Sequence, residues 1–97
     1  MSRYALTALA KRDFDEIVAF LAENAGVTVA RRVLNELRAA MRSLAKQPGV
    51  GHTREDLADE PLRFFAVYSY LIDYDPAKKP LEIIRILHGA RNVRSIL

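Results

Sequence analysis

Cysteine is absent from this chain, and with it any disulfide framework or thiolate metal site. Histidine occurs only at His52 and His88, too few for an all-histidine zinc centre. No apolar run approaches the ~20 residues that a membrane-spanning helix requires, so no membrane partner is expected. The opening Met1-Ser2-Arg3-Tyr4-Ala5-Leu6-Thr7 lacks the apolar stretch of a secretory signal, and the expected location is cytoplasmic. None of the four glycines belongs to a phosphate-cradling loop after a strand; Gly49-Val50-Gly51 reads as a turn inside a loop. No Ser-His-Asp arrangement and no metal-ligand spacing appears, so neither a cofactor nor a metal is expected.

What is present is the balance of a small globular protein. Of the 97 residues, 51% are hydrophobic and 28% charged, which suits one domain spanning residues 1–97 with a single core. Fifteen basic against twelve acidic side chains leave a net charge of +3. The charge is unevenly placed: residues 1–47 carry +3, residues 48–60 carry −3 and residues 61–97 carry +3. Eleven of the fifteen cations are arginine, whose planar fork suits carboxylate and phosphate.

Arg3 to Thr7 alternates briefly and predicts a short strand, after which Thr7 can cap a helix through its hydroxyl. Ala10, Phe14, Ile17, Val18 and Leu21 form one apolar helical face ending near Asn24, with Gly26 free to turn the chain. A second helix, from about Thr28 to Gln47-Pro48-Gly49, carries Ala30, Val33, Leu34, Leu37, Met41 and Leu44 on its apolar stripe. The short link makes the two helices an antiparallel hairpin. Pro48 to Pro61, with two glycines, two prolines and four acids, reads as a surface loop. Leu62 to Asp75 is aromatic and β-branched, too long for one strand, and divides near Tyr68-Ser69 into a β-hairpin. Pro76 to Pro80 turns the chain into a last strand, Leu81 to His88, in which adjacent Ile83 and Ile84 face opposite sides of a central position. The helical stripes must bury themselves on the sheet, so the expected fold is α+β: β-α-α-β-β-β, a helical hairpin on a mainly antiparallel sheet.

Asp13, Asp15 and Glu16 lie near Lys11 and Arg12, and the i,i+4 pairs Lys11–Asp15 and Arg12–Glu16 suggest a solvated helix face. The C-terminal set Arg63, Arg85, His88, Arg91 and Arg94 carries the remaining chemistry. Strict alternation puts Arg85 and Leu87 on one face and Ile84, Ile86 and His88 on the other. In one reading His88 is a general acid or base and Arg63, Arg85 or Arg91 neutralises a phosphate. In the other, His88 bonds backbone at the sheet edge and the arginines pair with Asp73, Asp75 and Glu82.

Several words of the sequence, taken in order, are similar to a known family. They are Tyr4-Ala5-Leu6-Thr7, Gln47-Pro48-Gly49-Val50-Gly51, Arg63-Phe64-Phe65-Ala66-Val67, Tyr70-Leu71-Ile72-Asp73-Tyr74 and Ile83-Ile84-Arg85-Ile86-Leu87-His88-Gly89-Ala90-Arg91-Asn92. Together they resemble ParE/RelE-superfamily toxins of type II toxin–antitoxin modules, the ParE branch more than the RelE branch. Tyr68 departs from the glycine usual in the hairpin turn, and Asn92 from the usual aspartate. The resemblance to ParE implies a non-enzymatic toxin that binds DNA gyrase, with Arg85, His88, Arg91 and Arg94 as target-binding residues and no catalytic residues. The RelE alternative is a ribosome-dependent mRNA endoribonuclease using His88, Arg63, Arg85 and Arg91. The absence of tyrosine and lysine beyond Lys79 leaves that chemistry short of groups. A third alternative is a non-toxic relic that only binds its antitoxin. The resemblance further implies a cognate antitoxin in a hetero-oligomeric complex. Its amphipathic helix and extended tail would seat on Phe20, Phe64, Tyr68 and Tyr70, unless these aromatics only fill the core.

Overall fold

The computed structural model describes residues 3–53 and 62–88. Their order is β1 (Tyr4–Leu6), α1 (Ala8–Asn24), α2 (Val27–Lys46), a 3₁₀ turn (Pro48–Val50), β2 (His52–Thr53), β3 (Arg63–Val67), β4 (Tyr70–Asp75) and β5 (Leu81–His88). The five strands form one sheet in the order β1-β5-β4-β3-β2, with β1 parallel to β5 and the other neighbours antiparallel. The expected α+β arrangement is the one observed, with β5 inside the sheet. The short strand β2 is an addition, because the whole of Pro48 to Pro61 reads as loop from its composition.

Each helix boundary has a local cause. Thr7 caps α1, its hydroxyl accepting from the Ala10 N–H at 3.1 Å while donating to the Ile84 carbonyl at 2.8 Å. One hydroxyl thus joins the helix start to the centre of the sheet. Gly26 precedes α2 at φ 95°, a conformation that glycine alone adopts without strain, and so folds α2 back along α1. The buried stripe of α2 is Ala30, Val33, Leu37, Met41 and Leu44, five of the six residues its periodicity predicts; Leu34 is half-buried. These pack onto Ile72, Tyr74, Ile83 and Ile86 of the sheet, while Phe14, Ile17 and Leu21 of α1 cover the same core from its margin.

Strict alternation along β5 does not hold. Tyr74 faces Ile83, but Asp73 faces Arg85, so Ile84 is an extra residue in a β-bulge. The bulge advances the phase by one. Ile83 and Ile86 are therefore both buried beneath the helices, at 0% and 2% exposure. Beyond the bulge the alternation resumes, and Arg85 and His88 do lie on opposite faces.

The segment after α2 is tied down by Tyr74. Its hydroxyl donates to the Pro48 carbonyl at 2.6 Å and accepts from the Gly51 N–H at 2.9 Å. Arg63 donates to the Gly51 carbonyl at 2.8 Å. A Cβ on residue 51 would press on the Tyr74 hydroxyl and lie 2.8 Å from the Phe64 carbonyl, so only glycine fits there. The chain then continues into β2, where the His52 ring leans on Phe64 at 5.4 Å between centroids.

Two outcomes follow from the buried tyrosines. Tyr74→Phe leaves the Gly51 N–H and Pro48 carbonyl unpartnered and should cost about 1–3 kcal/mol in urea unfolding. Burial pushes the Tyr70 hydroxyl up, and raises Tyr74 too, with the Gly51 N–H and Arg63 pulling Tyr74 part of the way back. An unfolded tyrosine ionises near pH ~10, so this stabilisation is complete below about pH 10 and lost as the pH climbs through the folded values. Thermal melts between neutral and strongly alkaline pH should be flat and then fall, with a gentler fall for Tyr74→Phe.

Candidate functional site

β1 has three residues and β5 has eight. Their pairing ends at Leu6 and Ile83, where Thr7 turns the chain into α1. Past Ile84, the side of β5 that β1 would have covered faces α1 instead. Asp13 fills this position. Its Oδ2 accepts from the Ile86 N–H at 3.0 Å, where a neighbouring strand's carbonyl would otherwise stand. Arg85 reaches round from the far face, donating Nε to Oδ2 at 2.7 Å and Nη2 to Oδ1 at 2.9 Å. Asp13 is 8% exposed.

The expectation of a solvated acidic face on α1 is therefore corrected at Asp13, while Asp15 and Glu16 are exposed. The signal was present in the periodicity. Position 13 stands three residues after Ala10 and four before Ile17, inside the apolar stripe rather than beside it. A carboxylate there must find donors or destabilise the core. The Asp13 hydrogen bonds hold the Arg85 guanidinium still more firmly protonated against partial burial, with the Asp13, Asp73 and Glu16 charges adding to the effect.

Alongside this clamp runs a groove of about 580 Å³ between α1 and the end of β5, lined by Glu16, Phe20, Tyr70, Arg85, Leu87 and His88 among others. Phe20 is exposed at its rim (56%), and Tyr70 is buried on its floor with its ring edge-on to His88 at 5.4 Å. Tyr68 stands at the same end of the sheet in the two-residue β3–β4 turn, 61% exposed. Its φ of 54° is the left-handed conformation that such a turn demands, strained for tyrosine and natural for glycine. The Glu36 carboxylate of α2 near the Tyr68 hydroxyl pushes the phenol up.

The residues singled out from sequence are thus only partly brought together. Phe20, Tyr70 and His88 share the groove, and Tyr68 adjoins the same end of the sheet. Phe64 is elsewhere, against His52 near the β2 edge. Arg63 lies opposite Tyr74, which pairs with Ile83, some five residues along β5 from His88, or roughly 16 Å at strand rise. Arg85 is engaged by Asp13, not by Asp73, Asp75 or Glu82, in the ion pair that its side-chain geometry shows. Arg91 and Arg94 lie outside the described residues. Among the described residues there is no group of three His, Asp or Glu side chains able to hold a metal ion.

Removal of the clamp has a defined consequence. Asp13→Ala leaves the Ile86 N–H without its acceptor and should destabilise the fold by about 1–3 kcal/mol in urea unfolding. Arg85→Ala should cost less, because its side chain is 38% exposed against 10% for Asp13. In the double variant the losses should be smaller than their sum, the signature of a direct contact in a double-mutant cycle.

Comparison with known proteins assigns the family. Residues 4–93 match the family described as "ParE toxin of type II toxin-antitoxin system, parDE". The chain is 34% identical over 97 residues to Toxin ParE1 of Caulobacter vibrioides, covering 100% of this chain and 99% of that one. It is 32% identical over 97 residues to Toxin ParE3 of the same organism, covering 100% and 96%. Its fold is similar to a chain of the chromosomal ParDE toxin–antitoxin system from P. aeruginosa, with a TM-score of 0.77 at 18% identity, covering 91% of this chain and 96% of that one. The two helices on a five-stranded sheet, and the sequence over almost its whole length, place this chain in the ParE toxin family of type II toxin–antitoxin systems.

Proposed function

We propose that this ParE toxin acts by holding its target rather than by cleaving RNA, that the target is DNA gyrase, and that it works in the cytoplasm. The observation that supports the first part is that Arg63, Arg85 and His88, the described members of the set a ribonuclease would need, do not converge. Cleavage beside a 2′-hydroxyl requires a base, an acid and cations converging on one phosphate. Here Arg85 is bound by Asp13 and Arg63 by the Gly51 carbonyl, about 16 Å by strand rise from the His88 end of β5. Among the described residues of that set, only His88 lines the groove with Arg85, and the Arg85 guanidinium is already matched to a carboxylate. A tight binder needs no such convergence.

A toxin of a type II module has a cognate antitoxin as its partner. In this reading the antitoxin seats an apolar side chain in the α1–β5 groove, with exposed Phe20 and buried Tyr70 as its anchors. Phe64, distant from that groove, contributes to β2–β3 packing instead. The strained turn also supports the groove end as the contact surface, because Tyr68 holds an exposed ring where glycine would be relaxed.

Purified toxin should inhibit gyrase supercoiling and leave ribosome-bound mRNA intact. Uninhibited supercoiling together with mRNA cleavage that disappears in His88→Ala would establish the RelE-type enzyme. A protein that fails to slow growth when expressed without its antitoxin would be the relic. Phe20→Ala should weaken antitoxin binding at least ten-fold, measured by calorimetry, with supercoiling inhibition retained.

A further inference from the structure

At the end of the sheet opposite the Phe20 groove, the start of β5 and the β4–β5 turn meet the C-terminal end of α2 around a second pocket of about 530 Å³. Its charged lining is wholly basic: Arg3 just before β1, and Lys78 and Lys79 in the turn. No carboxylate lines it among the described residues. Nor does any side-chain hydrogen bond or ion pair engage these three cations among the described residues. Three like charges around one concavity repel one another, and a polyanion would relieve that repulsion.

The rest of the wall discriminates between polyanions. Pro48, Pro76 and Pro80 supply much of it. Proline has no N–H, so these positions offer an incoming peptide strand no backbone donor. The neighbouring edge of β5 is also closed here, since Tyr4, Ala5 and Leu6 of β1 already pair with Leu81, Glu82 and Ile83. An acidic peptide would have little but its carboxylates to hold it. A nucleic-acid backbone needs only what this pocket provides: ammonium and guanidinium groups for successive phosphates, and apolar ring faces for the sugars between them.

We propose that the Arg3–Lys78–Lys79 pocket binds the phosphodiester backbone of nucleic acid without reading its sequence. The site is separate from the α1–β5 groove, so it can be occupied while that groove holds a protein, and it does not depend on which target the toxin has.

The test is fluorescence anisotropy with a labelled random-sequence DNA duplex of about 20 base pairs, titrated with full-length protein over a range of salt concentrations. Three phosphate contacts contribute about 2.7 to the slope of log K against log salt, and about 40-fold to the affinity lost between roughly 50 and 200 mM salt. The variant Arg3→Gln/Lys78→Gln/Lys79→Gln should lose that share of the slope and bind at least ten-fold more weakly at low salt. A control of equal charge loss on the helices, Lys11→Gln/Arg31→Gln/Arg42→Gln, should keep most of both. All six side chains are exposed, and unchanged urea midpoints would show that the folds are intact. The proposal is overturned if wild type and pocket variant share one slope, if the control falls as far as the pocket variant, or if polyglutamate binds in the pocket while DNA does not. Lys78→Gln/Lys79→Gln alone should give about two-thirds of the slope change, which keeps the test decisive should the Arg3 substitution disturb β1.

Discussion

Much of this molecule turns on one carboxylate standing in for a missing strand. β1 covers only the first part of β5, and the exposed remainder would be a run of backbone groups open to any passing strand. Asp13 closes the nearest of them by accepting the Ile86 N–H and neutralises itself on Arg85. The contact fixes more than the edge. It pins α1 in rotation about its own axis, and Phe20, seven residues and about two turns further on, is thereby held at the rim of the groove. A charge pair and an apolar anchor are geometrically one device.

In the proposed function the same clamp separates binding from chemistry. An arginine that a hydrolytic site would aim at phosphate is spent on internal order, and the groove beside it mixes Phe20, Tyr70 and Leu87 with Glu16 and a histidine edge-on to the buried tyrosine. At the other end of the sheet, Arg3, Lys78 and Lys79 stand among prolines with no carboxylate beside them among the described residues. The chain thus presents two concave surfaces of different character at the two ends of β5, a mixed aromatic and charged groove and a basic pocket.

Most of the fold was legible from pattern. The stripe of α2, the Thr7 cap and the Gly26 reversal follow from residue chemistry within a few positions along the chain, and the Tyr68-Ser69 break from the length of the strand-like run. The failures share a cause, which is dependence on a partner far away in sequence. Asp13 looks like one of three helix-surface acids until Arg85 and Ile86, more than seventy residues later, are placed beside it. The bulge at Ile84 is invisible to a two-residue period because it is set by the pairing with β4. β2 follows Gly51, which Tyr74 and Arg63 hold against the sheet, and its two residues are too short a run to read as a strand from sequence. Of the candidate site, the cluster of Phe20, Tyr70 and His88 could be named but not assembled, and Phe64 could not be told apart from it until the strand order was known.

The parallel contact between β1 and β5 joins residues 4–6 to residues 81–83. During translation β1 therefore lacks its β5 partner until residues 81–83 have left the ribosome. The helical hairpin, built from local contacts, can form early but with its oily side uncovered. The sheet is therefore completed at both ends of this span only once β5 arrives.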